Sequence, residues 1–185
     1  MSKALVALGA NLPEPTGDPA SNLRRALQEM ASEDLVIRSV SRFFATPCFP
    51  AGAGPDYVNA AAVVQSDLKP DEILARLHRI EERMGRNRET RWGMRTLDLD
   101  LIAMGDSILP DRATQGAWVD LDQTDQQLRA PDQLILPHPR LADRAFVLVP
   151  LADIAPDWVH PVTGGSVLEM CAALPEEDRA DVRPI

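Results

Sequence analysis

Apolar positions along the chain alternate between two periods. Lys3 to Leu8 is almost continuously apolar and predicts a buried strand, ending at Gly9-Ala10-Asn11. Gly17-Asp18-Pro19 then opens a helix with Leu23, Ala26, Leu27 and Met30 on one face. From Leu35 to Thr46 the pattern has period two, with Val36, Arg38, Val40 and Arg42 set against Ile37, Ser39, Ser41 and Phe43. That predicts a strand. Pro47 to Pro55 is a Pro- and Gly-rich loop, and Tyr57 to Gln65 reads as the next strand. Pro70 starts a second amphipathic helix carrying Ile73, Leu74, Leu77, Ile80 and Met84, which stops at Gly85. After an Arg-rich loop, Thr96 to Met104 forms a further strand.

The order βαββαβ predicts an α+β, ferredoxin-like sandwich: an antiparallel sheet with helices packed on it, followed by C-terminal extra elements. Asp111 to Asp132 is polar and lacks a clear period, as expected of an insertion or flap. Pro137-His138-Pro139 begins another ordered unit, in which Phe146, Val147, Leu148, Val149 and Leu151 are expected to be buried. Ser166 to Leu174 reads as the last helix, and residues 175–185 as a loose tail. With 185 residues, the whole chain 1–185 is expected to form a single domain.

Composition narrows the class. A hydrophobic fraction of 45% and a charged fraction of 25% are those of a soluble globular protein, and no apolar run reaches bilayer-spanning length. The first residues lack the serial regions of a secretory signal. Cys48 and Cys171 are too few and too dispersed for a disulfide framework or a zinc cluster, so the expected location is cytoplasmic. A net charge of −9 argues against a nucleic-acid footprint. Yet Arg76, Arg79, Arg83, Arg86, Arg88, Arg91 and Arg95 fall in one stretch, with only Glu81, Glu82 and Glu89 among them. Such a cluster suits a small polyanion. It is equally the composition of a solvated helix face laced with ion pairs.

The sharpest chemistry is Asp98-Leu99-Asp100. Side chains two apart on a strand share a face, which places the carboxylates about 7 Å apart, with Leu97, Leu99 and Leu101 facing the core. Two readings stand: the wet face of a strand, or a seat for a hard cation such as Mg²⁺, which completes its shell with water and phosphate oxygens. The Arg loop immediately upstream, between Gly85 and the acidic strand, favours the second. Nucleotide chemistry needs a cation on one side of the phosphates and guanidinium forks on the other. No Gly-rich phosphate loop occurs. His138 lies between two prolines with Arg140 and Arg144 nearby, compatible with a phosphate donor or a structural histidine. His78 and His160 carry no assignment. Tyr57 and Phe146 can stack on a flat heterocycle or simply fill core, and Asn59 shares the strand face of Tyr57.

The run Arg86-Asn87-Arg88-Glu89-Thr90-Arg91-Trp92-Gly93-Met94-Arg95-Thr96-Leu97-Asp98-Leu99-Asp100 closely resembles the signature of the 6-hydroxymethyl-7,8-dihydropterin pyrophosphokinases. Further matches follow in order over nearly the whole chain. They are Leu8-Gly9-Ala10-Asn11-Leu12, Thr46-Pro47, Pro55-Asp56-Tyr57-Val58-Asn59-Ala60, Leu136-Pro137-His138-Pro139-Arg140 and Arg144-Ala145-Phe146-Val147-Leu148.

The resemblance implies a transferase of folate biosynthesis. It moves pyrophosphate from ATP to the hydroxymethyl group of the pterin and releases AMP, acting as a monomer or simple homodimer. It implies Asp98 and Asp100 as ligands of two Mg²⁺ ions, and Arg86 and Arg95 as catalytic loop arginines contacting phosphate, supported by Arg88 and Arg91. Glu81, Leu101, His138 and Arg144 would stand on the ATP side. Tyr57 and Phe146 would sandwich the pterin, with Thr46, Pro47, Phe49 and Asn59 around it and Trp92 closing over the site. Departures from the family pattern are Met94, Ala10, Cys48-Phe49 and Ile135, besides the long stretch 111–132. Two alternatives remain at this point: a paralogous pyrophosphokinase for another heterocyclic alcohol, and a non-catalytic ferredoxin-like ligand-binding module.

Overall fold

The structure is a computed structural model that describes residues 1–12, 18–32, 34–48, 54–85, 96–122, 125 and 129–185. The strands are β1 (Ser2–Ala10), β2 (Val36–Val40), β3 (Phe44–Thr46), β4 (Tyr57–Ser66), β5 (Asp98–Met104) and β6 (Arg183–Pro184). The helices are α1 (Pro19–Met30), α2 (Pro70–Arg83), α3 (Arg112–Val119), α4 (Ala145–Ile154), α5 (Val167–Ala173) and α6 (Glu176–Ala180). The sheet order is β5-β1-β4-β3-β6, with β2 also paired to β4. β1 runs antiparallel to both β4 and β5. The ferredoxin-like expectation holds, with one refinement. The predicted strand from Leu35 to Thr46 is two strands, both against β4, separated at residues 41–43.

Helix starts follow local chemistry. Asp18 accepts the N–H of Ser21 at 2.7 Å to cap α1, and Lys69 N–H donates to Glu72 at 2.7 Å at the start of α2. Beyond Met84, Gly85 takes a φ of +81°, the left-handed conformation that ends a helix cheaply only with glycine. The apolar stripes of α1 and α2 then cover one face of the sheet. There Leu23, Ala26, Met30, Ile73, Leu77 and Ile80 meet Ala4, Val6, Leu8, Ala62, Val64, Leu99 and Leu101.

The opposite face is covered too. Leu5, Ala61, Val63 and Ile102 pack against Val147, Leu148 and Leu151 of α4 and Val167 and Met170 of α5. Phe146, expected to be buried with its neighbours, is 42% exposed. It is the one member of that run turned out of the core.

Two regions read as irregular from the sequence are structured. The stretch 111–132 opens with α3, capped by Asp111, which accepts the Thr114 N–H at 2.9 Å; Gln115 of α3 is wholly buried and donates to the Pro137 carbonyl. A polar stretch can hide a short helix when one side chain does the docking. Residues 175–185, expected to be a loose tail, carry α6 and β6. Arg183 and Pro184 pair with Ala45 and Phe44, and Val182 is buried. Among the described residues, no helix is long and apolar enough to cross a membrane.

Candidate active site

The site grows from the register of three strands. Gly9 of β1 is the Cα partner of Asn59 on β4 and of Asp98 on β5, so the three residues form one row across the sheet. At strand spacings near 4.8 Å, Asn59 and Asp98 stand roughly 10 Å apart on one surface. Alternation places Leu99 and Leu101 in the α1–α2 core, and Asp98 and Asp100 on the opposite face. Tyr57 and Asn59 alternate with Val58 and Ala60 in the same sense, and share their face with Ala61 and Val63. Gly9 sits between the two groups, and a Cβ there would lie 2.9 Å from Asn59 Oδ1, so any larger residue would force that amide to shift.

On the β4 side, the Asn59 amide donates to Thr46 Oγ1 at 2.7 Å, and both side chains are buried. This bond fixes which way the amide points. Thr46 closes β3, and Pro47 follows it directly. The Cys48 N–H donates to Asp56 at 3.4 Å, holding the loop after β3 toward the start of β4. Tyr57 is half-buried at that start.

On the β5 side, the edge strand is secured from below. Glu81 of α2 is wholly buried, and its Oε1 accepts the N–H of Leu99, the residue between the two acids, at 2.8 Å. Glu81, which the resemblance implies for the ATP side, is thus buried directly behind the acid pair. Asn22, on the buried face of α1, donates to the carbonyls of Leu12 at 2.9 Å and Thr96 at 3.1 Å. It ties the exit of β1 to the entry of β5.

The Pro137-His138-Pro139 turn lies against the outer edge of β5, where His138 N–H donates to the Ile102 carbonyl at 2.8 Å. His138 Nδ1 accepts the Arg140 N–H at 3.1 Å. That bond leaves the ring proton on Nε2, where it can be donated. Burial pushes the imidazole down to about 3, and the positive charge of Arg144 adds to the effect. The ring is therefore a neutral donor near pH 7.

Arg144, at the N-terminus of α4, places Nη1 4.0 Å from Asp100 Oδ2 and its guanidinium carbon 5.7 Å from the centre of the Phe146 ring. Burial lowers its affinity for its proton, while the negative charge of Asp100 opposes that shift. Arg140 is paired instead with Asp143 at 2.7 Å.

A cavity of about 330 Å³ wraps around the edge of β5. Asp100 and His138 line it together with Leu74, Leu101, Leu134 and Ile135. It is apolar where a flat ring can lie and polar where charge can be met.

The structure thus brings together Thr46, Asn59, Tyr57, Asp98 and Asp100 on one sheet face, with Arg144 and Phe146 at the adjoining helix end and His138 and Leu101 around the edge. Arg86, Arg88, Arg91, Trp92, Arg95 and Phe49 lie outside the described residues. Sequence reasoning missed Gly9, Asn22 and Gln115 as organising residues. For Asn22 a signal existed, since it falls among the apolar positions of the α1 stripe. Among the described residues, no group of three or more His, Cys, Asp or Glu forms a metal cage. Two neighbouring carboxylates suit Mg²⁺, which is held by one or two of them plus substrate phosphates.

Comparisons with known proteins bear on the family and the fold. Residues 5–156 match the profile of 7,8-dihydro-6-hydroxymethylpterin-pyrophosphokinase (HPPK). A 2-amino-4-hydroxy-6-hydroxymethyldihydropteridine pyrophosphokinase from Synechocystis is 37% identical over 90% of this chain and 73% of its own length. The enzyme of that name from Pseudomonas aeruginosa is 35% identical over 96% of this chain and 94% of its own. In fold, the chain resembles wild-type HPPK-DHPS of Plasmodium falciparum, with a TM-score of 0.62 and 14% identity over 92% of this chain. This chain spans 44% of that longer protein.

Proposed function

We infer the reaction from one premise: this chain belongs to the 7,8-dihydro-6-hydroxymethylpterin-pyrophosphokinase family. It transfers pyrophosphate from ATP to the hydroxymethyl group of 6-hydroxymethyl-7,8-dihydropterin in folate biosynthesis, and AMP leaves. The observation that best supports a division of labour among its residues is the row Asn59–Gly9–Asp98, which sets a polar reading edge beside a carboxylate.

In this reading the pterin lies between Tyr57 and Phe146. The exposure of Phe146 supports this, since an aromatic ring left outside a core that buries Ala145, Val147 and Leu148 beside it has surface to offer. Asn59, oriented by Thr46, hydrogen-bonds the ring edge, with Pro47 and Phe49 on the wall. The adenine enters the cavity beside Leu101 and Ile135. His138 donates Nε2–H to a phosphate oxygen, and Arg144 neutralises a second. Glu81 acts as a positioning residue by fixing the backbone between the acids.

Asp98 and Asp100 would hold Mg²⁺, two ions in our reading, which screens phosphate charge and polarises the transferring group. The chain's own task is to align the hydroxymethyl oxygen with the β-phosphorus, and to exclude water from it. Arg86 and Arg95, supported by Arg88 and Arg91, complete the phosphate clamp, and Trp92 covers it. The described contributors lie on one sheet or on the helices and turn packed against it, which supports a single domain over residues 1–185. Action as a monomer or simple homodimer is part of the same reading. The cytoplasm, where ATP is available, is the proposed place of action.

Incubation with ATP, Mg²⁺ and 6-hydroxymethyl-7,8-dihydropterin tests the reaction. AMP should form in proportion to pterin consumed, and none when pterin is omitted. AMP release independent of pterin, or no release by folded protein, would overturn the assignment.

A further inference from the structure

Part of the arginine-rich stretch is not absorbed by the active site. Arg76, Arg79 and Arg83 lie on α2 at spacings of three and four residues, hence on one stripe. They line a second cavity of about 260 Å³ at the seam between α1 and α2. This seam is on the sheet face opposite Asp98 and Asp100, so it is separate from the site described above.

The two outer arginines are already engaged. Arg76 pairs with Asp34 and donates to Ser32 Oγ at 3.3 Å; Arg83 pairs with Glu29 at 2.9 Å. Between them, Arg79 donates Nε to the carbonyl of Ala75 at 3.3 Å. Among the described residues, no carboxylate forms an ion pair with Arg79. The cavity therefore has three guanidinium groups on its walls, of which Asp34 and Glu29 match two and leave Arg79 as the local excess of positive charge, within a chain whose net charge is −9.

Its floor is apolar. Met30, Leu35 and Ile80 line it and are at most 3% exposed. A charge on such a floor is less screened than on open surface, so attraction to an incoming anion is strengthened. Planar guanidinium forks match phosphate oxygens in pairs, which ammonium groups cannot do.

We propose that the α1–α2 seam binds a small multivalent oxyanion of the phosphate and pyrophosphate class, with Arg79 as its principal ligand. Arg76 and Arg83, paired with Asp34 and Glu29, flank it. The proposal does not depend on the reaction assigned above.

Methyl resonances of Met30, Leu35 and Ile80 report this seam directly. Titration with inorganic pyrophosphate, without divalent cations and at constant ionic strength, should shift them saturably. Inorganic phosphate, with less charge, should bind more weakly at the same place. Arg79→Ala should weaken pyrophosphate at the seam at least tenfold and leave pyrophosphoryl transfer unchanged, and Arg79→Lys should fall between. Arg79 is exposed and bonds only within its helix, so folding should survive. If methyl dispersion is nonetheless lost, Arg79→Gln provides the same reading. Shifts confined to residues around Asp100 and His138, or seam shifts unaltered by Arg79→Ala, would overturn the proposal.

Discussion

The two faces of the sheet are made from alternate residues of the same strands, yet they are used differently. On the α1–α2 face, apolar side chains continue from Ala4 through Ala10 on β1 and from Leu97 through Leu101 at β5. On the other face, the core of Leu5, Ala61 and Val63 gives way to Asn59, Gly9 and Asp98. One face stabilises along its full length. The other stabilises for half its length and then becomes a site. The groups proposed as catalytic should therefore be alterable at little cost in stability, because their immediate neighbours in sequence hold the fold from behind.

The triplet Asp98-Leu99-Asp100 offers the most direct break of that contrast. Asp98→Asn or Asp100→Asn should lower turnover by roughly 100- to 1,000-fold, the usual scale for losing one preorganised electrostatic group. Thermal unfolding should barely move. Near wild-type rates at low Mg²⁺ would refute the role of the acids. Leu99→Ala should do the reverse, destabilising by about 2–5 kcal/mol in denaturant unfolding, since its side chain is 1% exposed in the core. If Leu99→Ala left stability intact, the division between the faces would be wrong.

Gly9→Ala sharpens the boundary itself. The added Cβ must displace the Asn59 amide, which is held by Thr46. Losing that orientation should raise the pterin KM about tenfold, the scale of one hydrogen bond to a buried partner, with less effect on the ATP KM. An equal rise for both substrates would separate Asn59 from pterin recognition.

The smallest effect is linked to protons. His138 resists protonation in the folded state down to about 3, while the unfolded chain takes up the proton near 6.5. Protonation therefore favours unfolding. Stability contributed by the neutral ring is present above pH 6.5 and falls by roughly 1 kcal/mol per pH unit as acidity increases below that. Equilibrium unfolding between pH 7 and 5 should show this slope, and His138→Gln should flatten it. A slope unchanged by the substitution would place its origin elsewhere.

Much of this arrangement was legible in the sequence. Periodicity located β1, α1, β4, α2 and β5, because each buries a face whose apolar spacing betrays it. The Asp98/Asp100 pair was legible because strand geometry alone puts both on one side. Gly9 was quoted as part of a motif, but its reason is cross-strand: the clash it avoids is with Asn59, fifty residues later. Glu81 was marked only by the resemblance, as a residue of the ATP side. Only packing shows that it turns inward to the Leu99 amide. The helix in 111–132 was hidden because its docking residue is a glutamine, which no hydrophobic pattern marks. The chain end was hidden for a related reason, since Arg183 and Pro184 bind through backbone pairing and not through side chains.

That last pairing has a practical corollary for anyone attaching cargo to the molecule. The Ile185 N–H reaches the Phe43 carbonyl, one position before the Phe44–Asn59 pair, so a fusion joined there would emerge beside the Asn59–Gly9–Asp98 row. The amino end lies by Ser66, seven residues (66 − 59) along β4 from Asn59, or about 23 Å at strand rise. A label joined at Met1 stands well away from that row, whereas one joined at Ile185 lies against it.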